Sequence, residues 1–164
     1  MTIHPFECLT FLAEVSVTLI GFIAVFLVIS NKEGRFDAAD RHFVQAMVVA
    51  ASFSILLAIA PASLSFFVPE GLLWTAATFV GVAIGLPMII LQLRIQFSMG
   101  AEEAAKIHWG WHLTAWSMGG LAALLLVLGL VGLADPVIMY VSAASLIAIL
   151  ALWSFIAVVF RRFF

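Results

Sequence analysis

Residues 113–160 read LTAWSMGGLAALLLVLGLVGLADPVIMYVSAASLIAILALWSFIAVVF, and the only charge in the stretch is Asp135. A hydrocarbon core about 30 Å thick is crossed by roughly 20 helical residues. The stretch is more than twice that long, so it must cross twice. Ala134-Asp135-Pro136 is the natural break, because Asp favours a turn and Pro cannot continue the preceding helix without losing a hydrogen bond. The spacing predicts a fourth span over 109–133 and a fifth over 136–160, the latter ended by Arg161-Arg162.

The same ruler divides the rest of the chain. A first span over 7–29 ends at the polar run Ser30-Asn31-Lys32-Glu33-Gly34-Arg35, and Asp37 and Asp40 are helix-starting residues for the second. That second span, over 40–67, reaches Val68-Pro69-Glu70-Gly71, whose Pro and Gly suit a tight hairpin, and a third returns over 72–97. The remaining linker, Ser98 to His108, is predicted to be an interfacial helix. The expected fold class is all-α: one polytopic transmembrane bundle of five spans.

Composition makes hydrocarbon the solvent. Hydrophobic residues are 65% of the chain and charged residues 10%, against about 25% charged in a soluble domain. The apolar residues come in long blocks rather than one-faced patterns, and the absence of dyad alternation argues against a barrel. The first block lacks Lys and Arg in front of it and is too long for a signal-peptide core, so it is expected to be retained. The lone Cys8 cannot form an intrachain disulfide and says nothing about redox compartment. The expected location is integral to the cell (inner or plasma) membrane.

Charge placement predicts orientation. Lys32, Arg35 and Arg41 flank the first loop, Arg94 and Lys106 the third, and Arg161 and Arg162 the C-terminus, so every basic residue falls on one side. The other side has Glu7, Glu70 and Asp135. The positive-inside rule then predicts the N-terminus outside and the C-terminus inside, and a four-span reading would scatter the basic residues over both faces.

Glu14 is the leading functional candidate, because it lies about 10 Å below the outer end of the first span, where an ionisable group is costly. No Lys or Arg belongs to its half of the bundle. It must therefore be protonated, hydrated or cation-bound, the bland form being a protonated Glu14 bonded to Thr78, Ser63 or Ser142 at similar depth. At about 100° per residue Glu7, Thr10, Glu14, Thr18 and Gly21 form one polar stripe, which Val25 and Val28 continue without polarity toward the inner side.

Weaker stripes mark the next two spans. In the second span Arg41, Gln45, Ser52 and Ser63 share a face that Ile59 interrupts, with Pro61 opposite. In the third Thr78, Gly81, Gly85, Gln92 and Gln96 align, with Gly81 and Gly85 at the small-xxx-small spacing of close helix packing. Helix packing alone would account for such stripes, but not for Glu14. Symmetric copies around an axis would turn Glu14 into an acidic ring that favours inorganic cations or protons, with Val25 and Val28 as a hydrophobic gate.

The other candidates are thin. His108 and His112 stand four apart, which suits one metal ion, but no third ligand falls one helical step away, and the neighbouring Trp109, Trp111 and Trp116 read as an interfacial belt. His42, His108 and His112 can titrate near neutral pH. Cys8 has no catalytic partner on its face, and there is no nucleophile elbow, nucleotide loop or basic patch of nucleic-acid size. The expectation is a non-enzymatic, cofactor-free homo-oligomer in the lipid bilayer, acting as a cation-favouring channel with no nucleic-acid partner. The alternatives are a non-conducting accessory or scaffold subunit, or a small-solute carrier, which the lack of an internal repeat disfavours.

Overall fold

The computed structural model describes residues 4–32, 38–98 and 109–163. They form five helices, α1 (Pro5–Lys32), α2 (Ala38–Leu64), α3 (Glu70–Phe97), α4 (Trp109–Leu130) and α5 (Pro136–Phe163), with no strand among the described residues. All five are long and apolar enough to cross a membrane. Arg35, Asp37, Lys106, His108 and the interfacial helix expected after Ser98 lie outside the described residues.

Two spans end three residues earlier than their apolar runs suggest. α2 stops at Leu64 rather than Phe67, because residues 65–67 turn ahead of Pro69, with Phe67 N and Val68 N both donating to Leu64 O. α4 stops at Leu130 rather than Leu133. Gly132 there takes φ +72, a left-handed conformation that glycine enters without steric cost. Gly132 N donates to Gly129 O and Leu133 N to Leu128 O, which together make a Schellman stop. Asp135 then caps α5, accepting from Val137 N at 2.8 Å and Ile138 N at 3.3 Å, and Pro136 occupies the first helical position, where no N–H is needed.

Each helix packs on its neighbours in the chain, while α5 packs on all four others. The result is an arc, α1 to α4, with α5 along its inner side. Lipid offers no hydrophobic drive for helix association, so close approach must come from small side chains and interhelical hydrogen bonds. α5 supplies both. Ala143, Ala144, Ala148, Ala151, Ser154 and Ala157 are buried along it, and Tyr140 Oη donates to Leu57 O of α2 at 2.6 Å. That carbonyl is the one Pro61 leaves without its helical N–H. On α3, an added Cβ at Gly81 would stand 3.0 Å from Leu57 Cδ2, and one at Gly85 would stand 3.0 Å from Phe53 Cζ, so these glycines allow α2 and α3 to meet.

The two ends of the bundle differ in charge. Arg41, Arg94 and Arg161 mark a basic end, where α1 and α3 finish, and Arg161 Nε approaches the buried Asp40 Oδ1 at 3.6 Å, tying α5 to α2. Glu7, Glu70 and Asp135 mark the opposite, acidic end.

Candidate functional site

Helix α1 has two faces. Leu9, Ser16, Leu19 and Ile23 are buried against α2 and α5. About half a turn round the helix lie Glu7, Thr10, Glu14, Thr18, Gly21, Val25 and Val28, all exposed on the outer surface. Val25 and Val28 are about 60% exposed, and an added Cβ at Gly21 would meet nothing within 4 Å. The threonines do not compete for Glu14: Thr10 Oγ1 donates to Phe6 O and Thr18 Oγ1 to Glu14 O, each one turn back in the same helix.

The intrasubunit bond expected as the bland state of Glu14 does not form. Thr78 is fully buried on α3, which meets α1 only through the ring contact of Phe6 with Trp74, and its hydroxyl donates to Trp74 O. Ser63 is exposed on α2, and among the described residues no partner for the Glu14 carboxylate is found. Its position leaves it facing out of the bundle.

The two weaker stripes separate. On α2, Arg41, Gln45 and Ser63 are exposed and Ser52 is half-buried, so that stripe faces outward, with Pro61 buried behind it. On α3, Thr78, Gly81 and Gly85 are buried and Gln92 and Gln96 half-buried, so that stripe faces inward. Gln96 joins a polar group at the basic end. Its Oε1 accepts from Trp116 Nε1 at 2.9 Å, and its Nε2 lies 3.4 Å from His112 Nδ1.

His112 of α4 meets His42 of α2, their ring centroids 5.7 Å apart, while the pairing expected with His108 lies outside the described residues. Phe43 and Trp111 make a second such bridge, at 6.2 Å. These ring contacts span a gap, because α2 and α4 do not pack directly. The gap is a cavity of about 320 Å³, walled by α2, α3, α4 and α5. Small residues line it, Ala46 and Ala50 on α2 and Gly119, Gly120 and Ala123 on α4, and an added Cβ at Gly119 or Gly120 would meet nothing within 4 Å.

Polar groups gather at the basic end of this space, where His42, His112, Gln92, Gln96, Trp153 and Ser154 line it; deeper toward the middle of the bundle the walls are apolar. His42 Nδ1, Gln92 Oε1 and Trp153 Nε1 are buried and have no hydrogen-bond partner within the protein. Among the described residues, no Asp, Glu, Lys or Arg lines the cavity. Two histidines alone do not make a metal centre, and no cluster of three metal-ligating side chains occurs among the described residues.

The cavity escapes a reading of the chain because it depends on which helices fail to touch. A signal was nonetheless present: Gly and Ala residues at matching depth on α2, α3 and α4, and two histidines near the same membrane end. Comparison of the chain with protein-family models, curated proteins and solved structures finds no match to any of them.

Proposed function

We propose that the chain is the subunit of a small homo-oligomeric membrane channel that favours cations, with α1 of each copy turning its Glu14 stripe toward a shared axis. The observation that carries this reading is the placement of Glu14. It sits on the outer face of α1, opposite that helix's core-facing residues and far from every basic side chain at the other end. An ionised carboxylate facing lipid at the bilayer centre is penalised by about 2.5–3.5 kcal/mol on the insertion scale. A symmetric assembly removes the penalty by giving the stripe water and cations instead of acyl chains. Exposed Val25 and Val28 then form the narrow, dewetting part of the path. The basic end is cytoplasmic in this reading, and Glu7, Glu70 and Asp135 draw cations to the outer mouth in the plasma or inner membrane.

Flux through proteoliposomes tests it. The wild-type chain is expected to pass K⁺ or H⁺, and Glu14→Gln to reduce that flux at least tenfold while leaving the oligomer intact. Absence of flux from the wild type over a range of pH and voltage removes the channel reading.

A second reading uses the same surface: a non-conducting accessory subunit whose α1 stripe meets a basic residue of a different membrane protein. The locally satisfied Thr10 and Thr18 and the open space over Gly21 favour it, since they suit close helix docking. Under that reading the purified chain is monomeric, and Glu14→Gln abolishes co-purification with the partner.

A further inference from the structure

We propose that the cavity between α2 and α4 is a binding site for an uncharged, membrane-soluble alcohol or phenol that reaches it from the bilayer between α3 and α4. This inference is independent of the α1 surface.

Three buried polar atoms define the head-group end. His42 is only 5% exposed, and its Nδ1 has no partner within the protein. Gln92 Oε1 can only accept and Trp153 Nε1 can only donate, and both are likewise without partners. A hydroxyl suits either atom, since it donates once and accepts twice. A ketone or ester carbonyl would serve Trp153 and leave Gln92 Oε1 bare, whereas an ammonium would do the reverse. Charge is excluded more strongly. With no Asp, Glu, Lys or Arg among the described lining residues, an ionised head would give up its hydration and find no counter-ion there.

The volume decides against water as the whole occupant. A water takes about 30 Å³ of liquid, so one or two molecules would serve the polar end of a space of about 320 Å³ and leave the apolar remainder. Apolar space of that kind favours apolar occupants over water. The size lies at the small end of ligand sites, which suits one ring or one branched chain rather than a two-chain lipid.

The route is set by exposure. Among the lining residues Leu86, Trp116, Gly120 and Val127 are exposed, and all four belong to α3 or α4. The opening thus lies along the seam of these two helices, at a depth where acyl chains surround the protein. A hydroxylated ligand can leave its tail in the lipid there and place its head against His42, Gln92 and Trp153.

Purified full-length protein is titrated with farnesol and with 4-heptylphenol, using decanoate and decylammonium as charged controls, and binding is read by native mass spectrometry and by the rise in melting temperature. The informative variant is Gly119→Leu: Gly119 lines the cavity and a Cβ there meets nothing within 4 Å, so the larger side chain takes up space that the ligand would use. At least one hydroxyl probe is expected to bind saturably, at least tenfold more weakly to Gly119→Leu, and more weakly again to Gln92→Leu and Trp153→Phe, each of which removes one head-group partner. The tighter of the two probes identifies an isoprenoid or an aromatic alcohol as the class. The proposal is overturned if neither hydroxyl probe saturates, if a charged control binds as tightly, or if Gly119→Leu binds like the wild type. Should Gly119→Leu fail to fold, Trp153→Phe and Gln92→Leu together carry the test, and unchanged affinity in both overturns it.

Discussion

Pro61 takes away the N–H that Leu57 O would use one turn back in α2, and the hydroxyl of Tyr140 on α5 replaces it at 2.6 Å. In lipid no water stands ready to do so, which makes the replacement structural rather than decorative. Tyr140→Phe is expected to destabilise the bundle by about 1–3 kcal/mol, the cost of a buried unpaired acceptor. Pro61→Ala restores the N–H, so Tyr140→Phe should cost less in that background. Thermal unfolding of the four proteins in one detergent gives the coupling, and equal costs in both backgrounds would show that the bond does not compensate for the proline. Each residue is conspicuous in the chain as an intrahelical proline and the only tyrosine. Their pairing is not, because it joins residues 83 apart and depends on the depth at which two helices cross.

Among the elements, the α4–α5 hairpin shows how little the apolar run says about where a helix stops. Asp135-Pro136 marks the break from sequence, yet the helix ends earlier, at the left-handed Gly132 with φ +72. Gly132→Val is expected to cost about 1–2 kcal/mol, the strain of placing a branched residue in that conformation. Asp135→Ala should cost about 1 kcal/mol through loss of the α5 cap, and both are measurable as falls in unfolding free energy. Helix α1 offers a different test. In a Cys8→Ala background, a cysteine substituted for Thr18 on the outward stripe should cross-link between copies under mild oxidation if α1 surrounds an axis. A cysteine at the buried Ser16 should not. Equal cross-linking at both positions would argue against a shared α1 face. That the stripe faces outward is a consequence of α1 burying its other side; the wheel alone cannot choose between inside and outside.

For the whole molecule, the five crossings and their rough limits were legible because block length and charge placement answer to a single dimension, the thickness of the hydrocarbon. The arc and its cavity were not, since neither the run of Ala143, Ala144, Ala148 and Ala151 nor the glycines of α3 and α4 name their partners. Within this arrangement the close backbone packing of α1 is on α2 and α5, and that of α4 is on α3 and α5, with only ring contacts reaching from α1 to α3 and from α4 to α2. The ribosome makes α5 after the other four, so much of the inner surface of α1 and of α4 has no mate while translation continues. A nascent protein stalled before α5 is therefore expected to present unsealed helix faces to membrane quality-control proteases.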